Sequence, residues 1–218
     1  MSILIYAESA EGKFKKVAFE LASYAKKVAE TLSTTVTAVT VNAGDVSELS
    51  NYGVDKVLKV TNDQLATFSA KAYADVIKQA AQKEGSKVVI LSSTTDSIYL
   101  SSLVAVGLEA GFASNVVGLP VSTAPFQVKR TAFSNKAFNT TEINTEVKVL
   151  GIAKNSYGIF ENASSLTEED FNPTIDANDF GVKVTAVEKS SGKISIADAD
   201  IVVSAGLGMK GPENWVMI

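Results

Sequence analysis

The sequence predicts an α/β protein, a doubly wound and mostly parallel sheet with helices on both faces and an appended antiparallel β region. Three observations carry this. Short β-branched or apolar runs alternate with amphipathic stretches of helical length through the first half of the chain. Val88-Val89-Ile90-Leu91 is apolar at every position, as a strand covered on both faces requires. Beyond about Asn115 the helical spacing gives way to short β-rich runs separated by polar pairs such as Ser134-Asn135.

In chain order, residues 2–7 form an apolar strand that ends at Glu8-Ser9. Phe14, Val17, Ala18, Leu21, Ala22, Ala25, Val28, Ala29 and Leu32 recur at helical spacing, which predicts a helix over 12–32. Residues 36–42 are β-branched and make a second strand, Asn51-Tyr52-Gly53 a turn, and residues 56–60 a third strand. A helix over 67–84 stops at Gly85, placed as a C-cap glycine would be. The buried run at 88–91 follows, then a helix over 98–110 that ends at Gly111. Residues 126–133, 136–143 and 146–151 read as antiparallel hairpins on one edge of the sheet. Residues 155–180, with Pro173 and the acidic cluster Glu168-Glu169-Asp170, read as a surface excursion, and 182–188 as one more strand.

The final stretch has its own pattern. Residues 199–204 predict a strand, Ala205-Gly206-Leu207-Gly208 a glycine-rich turn, and Pro212-Glu213-Asn214-Trp215 a helix start. A strand, a glycine loop and a helix are how a nucleotide-binding domain opens. The expectation is therefore an N-terminal α/β domain over 1–190 and, over 191–218, the start of a second domain that is cut short.

Composition removes whole classes of function. The 218 residues include no Cys and no His, so disulfides, thiol chemistry, a Ser-His-Asp triad and thiolate or imidazole metal sites are absent. The net charge of −4 and the scattered lysines argue against a nucleic-acid face. No stretch reaches the ~18 apolar residues of a membrane span, and the start lacks a signal-peptide pattern, so the expected location is cytoplasmic without membrane insertion. Hydrophobic residues make up 46% of the chain, enough to build a large core.

Three polar segments are candidates for chemistry. Ser204 to Pro212 places Gly206 and Gly208 after a predicted strand, where backbone could approach a phosphate. Ser92-Ser93-Thr94-Thr95-Asp96-Ser97 lies at the C-terminal end of the buried strand, where open α/β sheets bind ligands, although Asp96 or Ser97 equally well caps the next helix. Glu8 stands at a strand end with no second carboxylate spaced to pair with it, so no chemistry is assigned to it. The residues alone define a doubly wound domain with no catalytic constellation and no metal site.

Several segments resemble the alpha subunit of electron-transfer flavoproteins: Ile3-Leu4-Ile5-Tyr6-Ala7-Glu8, Gly53-Val54-Asp55-Lys56-Val57-Leu58 and Val88 to Thr95. The most specific is Val203-Ser204-Ala205-Gly206-Leu207-Gly208-Met209-Lys210-Gly211-Pro212-Glu213-Asn214-Trp215, similar to the motif that opens that family's flavin domain. The resemblance runs in register over essentially the whole chain. It implies an electron carrier subunit rather than an enzyme, whose C-terminal domain carries FAD and whose beta-subunit partner holds AMP. The complex would take electrons from acyl-CoA or related dehydrogenases and pass them to a quinone oxidoreductase or another acceptor. The region present would be mainly the scaffold that packs on the beta subunit. Gly206, Leu207, Gly208 and Lys210 would form one lip of the FAD site, and this stretch alone would hold no FAD.

Three positions depart from the family pattern. Leu207 stands where the family usually has Arg, which removes a charge-assisted donor to the flavin pyrophosphate. Asp96-Ser97-Ile98-Tyr99-Leu100 replaces the family's usual segment after the buried strand, and Lys154 or its neighbour replaces a family Arg. The alternative reading is a nucleotide-binding stress-type α/β module that holds ATP at 92–97. A stand-alone hydrolase or transferase is the third, and the missing His and Cys count against it.

Overall fold

The computed structural model describes residues 2–182, 184–186, 196, 199 and 201–217, and divides into two compact units, Met1–Lys183 and Val184–Ile218. The first unit carries β1 (Ser2–Tyr6), β2 (Ser9–Ala10), β3 (Lys13–Phe14), α1 (Lys16–Leu32), β4 (Thr35–Val41), β5 (Lys56–Val60), α2 (Ala70–Glu84), β6 (Val88–Ser92) and α3 (Thr95–Gly107). It continues with β7 (Gly111–Val116), β8 (Ser122–Thr123), β9 (Phe126–Ala132), β10 (Ala137–Glu142), β11 (Lys148–Ile152) and β12 (Thr167–Asp170).

Ten strands make one sheet in the order β10-β9-β7-β11-β6-β1-β4-β5-β12, with β8 paired to β9. The strands from β7 to β12 in that order are mutually parallel, and β8, β9 and β10 add the antiparallel edge. β1 is central, with Ile3 opposite Val36 of β4 on one side and Val88 of β6 on the other. Both faces are covered, as the uniform burial of β1 and β6 demands. Val17, Leu21, Tyr24, Val28 and Leu49 pack on one face with Ile3, Ile5 and Ile90. Tyr73, Val76, Ile77, Leu100 and Val104 pack on the other with Leu4, Val39 and Leu91. The doubly wound fold is thus as the alternating pattern predicts.

The differences are local and physical. The predicted helix over 12–32 begins only at Lys16, because Ser9–Phe14 form a two-strand hairpin whose turn residues, Glu11 and Gly12, both have positive φ. The helix predicted over 98–110 runs from Thr95 to Gly107 instead. Gly111 is the first residue of β7 and not a helix end: a Cβ there would come within 2.5 Å of Ile143 Cγ2. Gly85 does cap α2, at φ 61°. β11 is parallel and lies between β6 and β7, where a hairpin edge was expected over 146–151. Its burial explains this, since Val149, Leu150 and Ile152 are covered as fully as β6.

Residues 153–180 wrap the edge. β12 pairs with β5, and the chain then crosses α2, where Gln79 bonds both to the Thr174 carbonyl and to its N–H. Lys56 bridges Glu84 at 2.8 Å and Glu169 at 2.7 Å, Lys83 reaches Glu169 at 2.7 Å, and Lys59 reaches Glu168 at 3.1 Å. The hydrogen bonds of Lys56 and Lys83 hold the Glu169 carboxyl down at about 2. The strand expected over 182–188 falls partly outside the described residues, and its described residues are not extended into a ladder. The expected division at residue 190 also lies outside them.

Candidate functional site

β1 and β6 are neighbours whose following helices leave toward opposite faces of the sheet, α1 to one and α3 to the other. Their C-terminal ends therefore border the crevice where open α/β sheets bind ligands. Glu8, two residues beyond β1, points into it and is only 3% exposed. Its Oε1 accepts from the hydroxyls of Ser92, Ser97 (2.7 Å) and Thr94 (3.2 Å). Its Oε2 meets Lys15 Nζ at 3.1 Å. Burial pushes the Glu8 carboxyl up, but the Ser92 and Ser97 hydroxyls and the Lys15 ammonium outweigh it and hold the group below the usual range.

The helix start explains why these hydroxyls converge. Thr94, not Asp96 or Ser97, is the N-cap of α3, and its Oγ1 accepts from the Ser97 N–H at 3.4 Å. Ser92 ends β6 and Ser97 lies one turn into the helix, so the three hydroxyls border the positive end of α3. The hairpin closes over the same edge. Ser9 donates to the Val41 carbonyl at the end of β4 at 3.0 Å, and the Gly44 N–H donates to the Gly12 carbonyl at 2.9 Å. The sequence marked 92–97 as a polar segment at the end of β6, which is where it lies, but gave Glu8 no role. Its burial depends on contacts across 84 and 89 positions of chain, which spacing does not reveal.

A second carboxylate escaped the sequence entirely. Glu20, on α1 and 3% exposed, accepts the backbone N–H groups of Asn155 (2.9 Å), Tyr157 (2.9 Å) and Gly158 (3.1 Å). Ser23, one turn on, both donates to the Phe160 carbonyl and accepts its N–H. A hollow of about 210 Å³ lined by Ala81, Gly85, Lys87, Leu108 and Val147 lies at the opposite, N-terminal edge of β6 and β11. Among the described residues no group of acidic side chains could hold a metal ion, and no helix is long and apolar enough to cross a membrane.

The four predicted flavin contacts lie together on one turn of the second unit. Gly206 precedes a 3₁₀ turn over Leu207–Met209, and the Met209 N–H returns to the Gly206 carbonyl at 3.0 Å. Lys210 follows at φ 62°. Leu207 is fully exposed, and a Cβ added at Gly206 or Gly208 would meet nothing within 4 Å. The described part of 199–204 is not a strand, and Pro212–Met217 form a 3₁₀ helix.

A family model for the electron transfer flavoprotein domain matches residues 3–176, and the chain belongs to that family. Several of its relatives are named electron transfer flavoprotein subunit alpha. It is 26% identical to the electron transfer flavoprotein subunit alpha of Thermoanaerobacterium thermosaccharolyticum, over 99% of this chain and 68% of that one. It is 28% identical to the subunit alpha of Syntrophomonas wolfei, over 98% and 68%. It is also 23% identical to the lactate dehydrogenase (NAD(+),ferredoxin) subunit LctC of Acetobacterium woodii, over 99% of this chain and 53% of that one. The family role is electron transfer.

Proposed function

We propose that the chain is the scaffold region of an electron-transfer flavoprotein alpha subunit, paired with a beta subunit, and that residues 206–210 form a lip of the FAD site. The observation that supports the flavin reading most directly is the turn itself. Neither Gly206 nor Gly208 has a positive φ or a close neighbour, so nothing in its surroundings demands glycine there. A backbone that must lie against a pyrophosphate does demand it. Lys210 is exposed beside the turn, where its ammonium can pair with the same phosphates. FAD, when bound, supplies the electron storage; the chain's part is to position it. The donors are dehydrogenases of the acyl-CoA type or their relatives, and the acceptor a respiratory quinone oxidoreductase, with the complex in the cytoplasm.

Pairing with a beta subunit is supported by α3. Its outward side carries Tyr99 (69% exposed), Leu103 (42%) and Val106 (78%), spaced four and three residues apart and so aligned along one stripe. Co-expression of the alpha subunit with a beta subunit tests both parts of the proposal. A yellow heterodimer with flavin absorbance is the expected product. A heterodimer that stays colourless after reconstitution would overturn the flavin lip, and an alpha chain that does not co-purify with beta would overturn the pairing. Leu207→Arg in that heterodimer restores a charge-assisted donor and should tighten FAD about tenfold, measured by flavin fluorescence titration. Unchanged affinity would remove Leu207 from the site.

A further inference from the structure

We infer that the crevice between β1 and β6 is an anion site which the chain fills with its own Glu8 carboxylate, so that this unit takes no nucleotide phosphate there. The position is the one an open α/β sheet offers to phosphate: the C-terminal ends of neighbouring central strands, beside the N-terminus of the following helix. The donors are those an oxyanion requires. Hydroxyls of Ser92, Thr94 and Ser97 converge on a single oxygen, and an ammonium from Lys15 covers the other. Such a donor set left empty would be a binding site. Here the acceptor is tethered two residues beyond β1 and nine-tenths buried, with no loss of translational freedom to oppose it.

The hairpin completes the exclusion. Ser9–Phe14 starts at the residue after Glu8, and its anchors are Val41, the last residue of β4, and Gly44 just beyond it, β4 being the strand next to β1. Sugar and base of a nucleotide whose phosphate lay at Glu8 would extend over that edge, and the chain's own backbone lies there. The Lys15 N–H donates to the Glu8 carbonyl at 3.0 Å, so hairpin and carboxylate are closed by the same two residues. This inference does not depend on the flavin lip at 206–210 or on the partner subunit.

The test is a titration of the 218-residue chain with inorganic phosphate and with AMP, followed at the backbone amides of Thr94 and Ser97 by NMR. Wild type should show no saturable shift at either amide. Glu8→Gly, which removes the carboxylate and leaves the donors, should show saturable shifts with phosphate and a phosphate-dependent rise in Tm that wild type lacks. Glu8→Gln, which keeps the volume and drops the charge, should show neither. Saturable shifts in wild type would overturn the inference, since the crevice would then be open. A folded Glu8→Gly that ignores phosphate would overturn it as well, because the donors would not constitute an anion site. If Glu8→Gly does not fold, Glu8→Ala is read by the same criteria, and the wild-type titration decides without any variant.

Discussion

Glu8 and Glu20 are both 3% exposed, yet they satisfy their carboxylates by different means. Glu20 takes three backbone N–H groups of residues 155–158 and so fixes the path of the chain after β11. Glu20→Ala would leave those donors without an acceptor in a covered site, at a cost of about 3 kcal/mol. Urea unfolding should show that loss with an unchanged slope, and Glu20→Gln should recover part of it because its amide oxygen still accepts. Glu8 makes stability depend on pH. Its folded carboxyl titrates below the unfolded value of about 4.3, so its contribution is complete above that pH and is lost as pH falls through the folded value. The stability gap between wild type and Glu8→Gln should therefore be widest near neutrality and narrow on acidification below about pH 4.3. A gap independent of pH would contradict this assignment.

At the scale of elements, β12 is held differently from the strands inside the sheet. It is largely exposed, and lysines of β5 and α2 hold it from outside. Exposed pairs of this kind are individually weak and screened by salt. Hydrogen exchange should therefore show the amides of residues 167–170 losing protection in about 1 M salt, or with Glu169→Gln, while those of β1 and β6 stay protected. Equal protection at high salt would mean that the β5 ladder alone holds the strand. The same contrast explains what the sequence revealed. β1, β4, β5, β6 and α2 follow from local apolar periodicity because each element's own run of residues records which of its faces are covered. The early hairpin is hidden, because Glu11 is not a residue that favours the positive φ it adopts there and the helical spacing that begins at Phe14 masks the turn. β11 carries an apolar run like that of β6, but its position after two β-rich runs gave it the reading of a hairpin edge. Its place between β6 and β7 follows from long-range pairing, which no local pattern encodes. The Glu8 cluster is hidden for the same reason: its donors come from a strand end, a cap and a helix far along the chain.

At the scale of the molecule, most of the first unit is devoted to a sheet covered on both faces, and it presents to solvent an apolar stripe on α3. Val106→Asp places a charge at the most exposed point of that stripe. It should leave the thermal stability of the isolated chain within about 0.5 kcal/mol of wild type while weakening co-purification with the beta subunit, read by size-exclusion chromatography. Retained heterodimer would place the contact elsewhere on the surface. β11 has a further consequence for how the protein is made. It is the last of the central strands to leave the ribosome, yet it fills the gap between β6 and β7, both synthesised before it. Until residue 152 is available, β6 has an unpaired edge on one side and β7 has no parallel neighbour, so a nascent chain carries two open strand edges at once. During synthesis the sheet can close only by insertion of β11, and a chain interrupted before it would expose both of those strand edges.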